Sequence, residues 1–214
     1  MANPIAPADK TPKVTRIAQK RRRDLINAAI RNIAVSGYDA VTVATICEEA
    51  GFSRGLIGHY FRGKDELLLE AVRAVADELG EVFQSAMEAA GSDPAARLHA
   101  LIDASFSPPG FTPEKVAVWV ALTGTARWSP QLAAIYRDIW RNYRVSVGRL
   151  FERAAEAREV EIDSSQIALT FSQMIEGLWV GWAVDPEAVA QEASAACCHA
   201  FVRMVLRDND TGTF

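Results

Sequence analysis

Arg54 and His59 are the residues with the clearest chemical potential, and they share one side of a short predicted helix with Gly55 and Gly58. An arginine guanidinium offers two parallel N–H donors, which match the O6 and N7 acceptors of guanine. His59 can donate to a base or a phosphate, or it is an ordinary surface histidine. Each glycine costs about 1 kcal/mol of helix propensity relative to alanine. Two of them in so short a helix indicate close approach by another molecule, unless both are simply tolerated.

Two short helices joined by a tight turn must position these side chains. Thr42 is a good N-cap for the first helix, and Gly51 ends it in the left-handed conformation that glycine favours. Ser53 is expected to cap the second helix, which runs from Arg54 to about Phe61. Helix, glycine turn, cap and second helix predict a helix-turn-helix, whose second helix enters the major groove of DNA.

The charge distribution favours a polyanion partner for the same region. The chain carries a formal net charge of −4, but the first 64 residues hold 11 basic and 5 acidic side chains, a net charge of +6. The remaining residues therefore carry a net charge of −10. A basic segment on an acidic body is typical of a nucleic-acid-binding head. The basic run Lys20–Arg23 is either a solvated helix face or a set of phosphate contacts.

Residues of catalytic type are present without catalytic spacing. His59, His99 and His199 are far apart in the sequence and lack the spacing of metal ligands. There is no glycine-rich phosphate loop and no G-x-S-x-G motif. The three cysteines are interpreted as small buried residues. We therefore expect no catalytic residue, no metal and no cofactor, and an enzyme is a weak alternative.

The second half of the chain concentrates aromatic residues. All five tryptophans lie between Trp119 and Trp182, and Glu176 precedes Trp179 by three residues. A carboxylate beside indole faces suits a quaternary ammonium ion, because each cation–π contact contributes about 0.5–2 kcal/mol. The hypothesis is a cationic-effector pocket lined by Trp119, Glu176 and Trp179, with Asp103 as a second candidate carboxylate. The alternative is that the tryptophans are ordinary core packing.

Apolar residues recur at helical spacing through almost the whole chain, which predicts an all-α fold of about nine helices. The helices at about 164–183 and 186–206 are apolar on broad faces. Packing of this pair against the same pair in a second subunit would form a four-helix bundle, whereas a larger monomeric core is the alternative. There is no run of about 18 apolar residues, so no membrane-spanning helix is expected.

The pattern T-V-x-x-I-x-x-x-A-G-F-S-R-G-x-I-x-x-Y-F-x-x-K-x-E-L-L resembles the DNA-binding signature of the TetR family of bacterial repressors. This resemblance implies a homodimer with an N-terminal three-helix head and a larger body that binds ligand. It divides the chain into a disordered basic arm (1–14), a helix-turn-helix DNA-binding domain (15–64) and an effector-binding and dimerisation domain (65–214). Such a regulator would bind a palindromic operator as a repressor in the cytoplasm, and ligand binding would release the DNA.

Family positions assign the DNA contacts residue by residue. Arg54, Gly55, Gly58 and His59 match the groove-facing side of the recognition helix. Thr42, Tyr60 and Lys64 match positions that contact phosphate in the family, although Tyr60 can instead be mostly packed.

The body resembles the choline-responsive repressors of glycine betaine synthesis within that family, through SFSPPGFTPEKVAVWVALTGTARWSPQL and MIEGLWVGWA. The chain departs from their pattern at Leu122, where an aromatic residue is usual, at Glu176, which replaces aspartate, and at Gly58, which replaces serine. One alternative is a TetR-type regulator of an efflux or catabolic operon that senses an unrelated hydrophobic ligand or a polyamine. Another is an activator or nucleoid-associated protein without a ligand.

Overall fold

The computed structural model of the protein describes residues 13–207, and residues 1–12 of the predicted basic arm lie outside the described residues. The described part contains nine α-helices, one 3-10 turn and no strand, which confirms the all-α prediction. The helices are α1 (Lys13–Ser36), α2 (Val43–Ala50), α3 (Ile57–Tyr60), α4 (Lys64–Ala89), α5 (Pro94–Phe106), α6 (Pro113–Ala126), α7 (Pro130–Glu156), α8 (Ser164–Val184) and α9 (Gln191–Leu206).

Helix α2 begins and ends where the sequence predicts. The Thr42 hydroxyl oxygen accepts the Thr45 N–H at 3.1 Å, and the Thr45 hydroxyl oxygen accepts the Thr42 N–H at 3.2 Å. These two bonds form a capping box that satisfies two backbone donors at the helix start. Gly51 ends α2 with a φ of 70°, a left-handed conformation that glycine adopts without strain.

The second helix of the motif differs from the prediction. Instead of one helix from Arg54 to about Phe61, the chain forms a 3-10 turn at Arg54–Leu56 and then the single helical turn α3. Ser53 precedes the turn, but its side chain makes no capping hydrogen bond, so the predicted cap is wrong. The physical reason is the pair of glycines, because they weaken helical order in a segment this short. Burial of Ile57 and Phe61 holds the segment in place instead.

Helix α4 connects the head to the body. Its 26 residues span about 39 Å at 1.5 Å per residue. It packs against α1 at the head end and against α5, α6 and α7 in the body. Buried apolar residues form one continuous cluster from Leu25 in the head to Leu206 in α9. Packed side chains therefore connect α4 in the body with the head.

Four helices of the body begin at a polar side chain that accepts a backbone N–H. Asp93, Thr112, Ser129 and Asp163 each cap the helix that follows them, and α5, α6 and α7 then begin with proline. Proline at the first helical position lacks only an N–H that would have no intrahelical partner. These local signals fix the boundaries of the helices that form the body.

The last two helices are close to their predicted ranges, but α9 begins at Gln191 rather than near Pro186. The Asp185 carboxylate accepts the Ala188 N–H at 3.0 Å, and the Asp185 carbonyl accepts the Val189 N–H at 3.0 Å. This local turn delays the helix. Among the described residues, α8 alone is long and apolar enough by composition to cross a membrane, and it packs against α6, α7 and α9.

Candidate functional site

The recognition segment presents its predicted polar face to solvent. Arg54, Gly55, Gly58 and His59 are all exposed, whereas Ile57, which lies between Gly55 and Gly58 in the sequence, is buried. A Cβ atom added at either glycine would meet no atom within 4 Å. Packing within the protein therefore does not require glycine at these two positions. Either a binding partner requires the small residues, or glycine is simply tolerated there.

The three predicted phosphate contacts surround this face in different environments. Thr42 is exposed at the start of α2, and Tyr60 is half-buried against the core. The Lys64 ammonium donates to the Val41 carbonyl at 3.0 Å, so the first residue of α4 is held beside the start of α2. The ammonium keeps two further N–H donors beyond this bond.

One member of the basic run Lys20–Arg23 has a structural role. The Arg22 guanidinium donates to Glu70 of α4 at 2.8 Å and lies 5.0 Å from the centre of the Phe61 ring. The hydrogen bond from Arg22, which outweighs partial burial, lowers the pKa of Glu70. Lys20, Arg21 and Arg23 are exposed. Arg22 therefore joins α1 to α4, and the other three cations face solvent.

A cavity of about 920 Å³ lies in the body, between α4, α5, α6, α7 and α8. Trp119 of α6 and Glu176 and Trp179 of α8 all line it, so the three residues that the sequence singles out share one cavity wall. Trp119 and Trp179 meet edge to face, with ring centroids 6.5 Å apart. The Trp179 indole N–H donates to the Ser105 carbonyl at 2.9 Å, which fixes the orientation of that ring.

Glu176 is 8% exposed and is held by neighbouring donors. The Tyr136 hydroxyl lies 2.9 and 2.8 Å from its two carboxylate oxygens, and the Gln173 amide donates at 3.0 Å. Burial, followed by the adjacent Glu176, raises the pKa of Tyr136 to about 12. Tyr136 therefore remains a protonated donor at neutral pH and orients the carboxylate beside the tryptophan rings.

The charged side chains along the described cavity wall have one sign. Asp77 and Glu81 of α4 lie on the exposed side of the cavity, and Glu176 lies in its buried part. No lysine or arginine is among the described lining residues. A cavity with this charge and with indole rings attracts a cation and disfavours an anion.

Comparison with known proteins places both regions in one family. Residues 25–71 match the model of bacterial regulatory proteins of the tetR family, and residues 94–207 match the model of the C-terminal domain of BetI-type transcriptional repressors. The chain belongs to the TetR family. Its body is of the BetI type, and the proteins of this family are ligand-responsive transcriptional regulators rather than enzymes.

Curated relatives agree with this assignment, and solved structures share the fold. The chain is 34% identical to the HTH-type transcriptional regulator BetI of Rhizobium meliloti, over 91% of this chain and 93% of that protein. A putative transcriptional regulator from Pseudomonas aeruginosa has the same fold, with a TM-score of 0.80 and 26% identity over 94% of this chain and 97% of that one. A putative regulator from Saccharomonospora viridis, solved in complex with choline, aligns with a TM-score of 0.78 and 21% identity, covering 86% of this chain and 96% of that one.

The set of residues that line the cavity of this TetR-family chain differs from the set that the sequence suggested. Trp140 lines the cavity, whereas Tyr136 is not among the lining residues and is linked to the cavity by its hydrogen bond to Glu176. The spacing of aromatic residues was the only sequence signal for either residue. Asp103, the second candidate carboxylate, is not among the cavity-lining residues and pairs instead with His199. Trp128 is 79% exposed, and Trp182 packs against Phe111 outside the lining. Of the five tryptophans, Trp119, Trp140 and Trp179 therefore line the cavity.

Proposed function

We propose that this TetR-family repressor is a homodimer that binds a palindromic operator and is released by a choline-like quaternary ammonium effector. The observation that carries the effector class is the position of Glu176 beside Trp119 and Trp179, in a cavity whose charged lining is acidic. The choline bound to the Saccharomonospora viridis protein supports the same ligand class. A permanently charged ammonium cannot donate a hydrogen bond, so it needs a carboxylate and π faces rather than an acceptor with fixed geometry.

In the head, we propose that Arg54 reads a base edge while Thr42, Tyr60 and Lys64 contact phosphate. The exposed position of Arg54 at the start of the recognition segment supports the first role. The fixed position of Lys64 next to the start of α2 supports the second, because a phosphate contact must keep its register on DNA. Gly55 and Gly58 then allow the DNA backbone or bases to approach closely, and His59 supplies a further donor.

The dimer interface is proposed at the outer faces of α8 and α9. Leu169 of α8 is 50% exposed and Met204 of α9 is 70% exposed, and both would be buried between subunits. Two-fold symmetry then presents the two heads to half-sites about 34–36 Å apart, or a multiple of that spacing. We further propose that the chain is divided into an arm, a DNA-binding domain (15–64) and an effector-binding and dimerisation domain (65–214). We also propose that the protein is located in the cytoplasm.

Calorimetry with choline and tetramethylammonium tests the effector. Both ligands should bind, and Glu176→Gln should weaken each at least 10-fold, because it removes the only buried carboxylate among the described lining residues. Glu114→Gln, an exposed carboxylate at the start of α6, is the matched control and should bind as the parent does. Absence of heat at millimolar ligand, with folded protein, would exclude this effector class.

Footprinting on DNA from around the gene, with and without choline, tests the regulatory cycle. Arg54→Ala should reduce discrimination between operator and random DNA, whereas Lys64→Ala should weaken both about equally and lessen the salt dependence. If a palindrome remains protected in the presence of choline, the palindromic operator would be supported and choline would be excluded as the effector. If Arg54→Ala lost affinity for both DNAs in equal proportion, the base-reading role would be wrong.

A second candidate is a regulator of an efflux or catabolic operon that senses a larger hydrophobic ligand. The size of the cavity favours it, because about 920 Å³ exceeds the roughly 200 Å³ that seven heavy atoms such as those of choline occupy at liquid density. The wall is also largely apolar and aromatic. Binding of a long-chain quaternary ammonium with much higher affinity than tetramethylammonium would favour this candidate.

A further inference from the structure

Three polar side chains that the sequence keeps apart meet between α5 and α9. His99 and Asp103 are four residues apart on one face of α5, and His199 lies opposite them on α9. His199 Nε2 lies 2.8 Å from Asp103 Oδ1, and His199 Nδ1 lies 2.6 Å from His99 Nδ1. The two imidazole rings face each other through these Nδ1 atoms, with ring centroids 4.9 Å apart and an interplanar angle of 29°.

This cluster is separate from the effector cavity. The cavity-lining residues of α5 are Leu101 and Ser105, two positions after His99 and Asp103 respectively. Two helical positions correspond to a rotation of about 200°, so the cluster and the cavity lie on opposite faces of α5. The role proposed for Glu176 therefore does not account for the histidine pair.

The hydrogen-bond partners decide where the ring protons sit. An ionised Asp103 only accepts, so His199 Nε2 must carry the proton of that bond. If the ring is neutral, His199 Nδ1 carries no proton, and its lone pair points at His99 Nδ1. The two Nδ1 atoms share one proton, and both are directed at the space between them.

A carboxylate that holds the far nitrogen of an imidazole is the arrangement that orients histidine toward a metal ion. Imidazole nitrogen suits Zn²⁺, Ni²⁺ and Cu²⁺ rather than Mg²⁺. At Zn–N distances of 2.0–2.1 Å, two nitrogens in adjacent tetrahedral positions lie about 3.3 Å apart. The rings would need to separate by about 0.7 Å from their present 2.6 Å contact and to tilt so that both Nδ1 lone pairs meet at the ion. The side chain of His199 is 21% exposed and that of Asp103 is 67% exposed, so solvent reaches the cluster.

We propose that His99 and His199 bind a divalent transition-metal ion through their Nδ1 atoms, with Asp103 orienting His199. The ion replaces the shared proton: in a neutral pair the His99 proton moves to Nε2, and a protonated pair releases one proton to solvent. Among the described residues no group of three or more His, Cys, Asp or Glu side chains is arranged to hold a metal. Water therefore fills the remaining positions, and binding is reversible and joins α5 to α9.

Titration of the tag-free, chelator-treated protein with ZnCl₂, NiCl₂ and MgCl₂ tests the site. Calorimetry should show saturable one-to-one binding of Zn²⁺ and Ni²⁺ and none of Mg²⁺, and both transition metals should raise the unfolding temperature. His199→Ala should weaken binding more than 10-fold. The chain contains only three histidines, so His59→Ala is the matched control and should bind as the parent does.

Two further variants keep the test decisive. Asp103→Asn changes an exposed side chain, so it should fold normally, and it should weaken Zn²⁺ binding about 10- to 100-fold. Cys197→Ser, at the exposed cysteine, should leave binding unchanged. No saturable binding at millimolar Zn²⁺ would overturn the proposal. Zn²⁺ affinity equal to that of the parent in His199→Ala or in Asp103→Asn would overturn it as well.

Discussion

Arg22 and Arg23 are neighbours in the basic run, and replacing each with alanine should affect different properties. Arg22→Ala removes the hydrogen-bonded ion pair with Glu70 and the contact with the Phe61 ring. The Arg22 side chain is 43% exposed and that of Glu70 27%, so the pair contributes at most about 1 kcal/mol. The ring contact adds about 0.5 kcal/mol at such a site. Arg73 still donates to Glu70 at 2.9 Å, which offsets part of the loss.

We therefore expect Arg22→Ala to lower the free energy of unfolding by about 1 kcal/mol, or roughly 2–4 °C in Tm for a chain of this size. Arg23→Ala removes an exposed side chain and should change stability by less than about 0.5 kcal/mol. Its effect should appear in DNA binding, as weaker affinity and a salt slope reduced by about one phosphate contact. Urea unfolding followed by circular dichroism, and binding to random duplex DNA between 50 and 200 mM salt, measure the two properties.

The pH dependence gives a second check on Arg22. The pKa of Glu70 is lowered in the folded protein from its ordinary value of 4.5, mainly by Arg22. The stabilisation is therefore present above the pKa of the unfolded chain and is lost as the pH falls through the lower folded value. The stability difference between the parent and Arg22→Ala should be constant near pH 7 and shrink below about pH 4.5. Equal stability of the two at pH 7, or an equal salt slope for both variants, would refute the separation of roles.

Three further predictions concern the head and the cavity. Gly58→Ala should leave stability unchanged or slightly raised, since the added methyl meets no atom within 4 Å, but should weaken operator binding in a mobility-shift assay. Thr42→Ala removes the acceptor for the Thr45 N–H and should lower the free energy of unfolding by about 1 kcal/mol in urea, and a loss below 0.3 kcal/mol would contradict the capping role. Because the pKa of Tyr136 is about 12, its hydroxyl still donates to Glu176 at pH 10, so calorimetry with tetramethylammonium should give the same affinity at pH 7 and pH 10.

The DNA-binding head could be predicted in detail because its signals are local. A capping threonine, a left-handed glycine and an apolar face at positions three and four apart act over fewer than ten residues, and the structure has α2 at that place. The exception is also local: the two glycines of the recognition segment break the predicted helix into a 3-10 turn and one helical turn. The sequence shows both glycines, but it did not predict the 3-10 backbone that the segment adopts.

The cavity could be predicted only as a group of residue types. Trp119, Glu176 and Trp179 were expected to line one pocket, and they do lie in one wall. Tyr136 reaches Glu176 across 40 residues of sequence, and no spacing rule connects a residue of α7 with a residue of α8 at that separation. Asp103, the second candidate carboxylate, pairs with His199 instead of lining the cavity, and residue type alone does not distinguish it from Glu176.

The sequence by itself determined the helical class, the position of the helix-turn-helix and the basic head, because each depends on local periodicity, capping or charge. The TetR family followed from the resemblance of the motif residues to the family signature. Tertiary structure decided which side chains meet: Arg22 with Glu70, Glu176 with Tyr136, and His99 with His199 across 100 residues. Helical periodicity fixes the face on which a residue lies, but the partner of that face depends on how helices far apart in the chain pack. That packing minimises the exposed apolar surface of the whole chain, and no short segment contains the information.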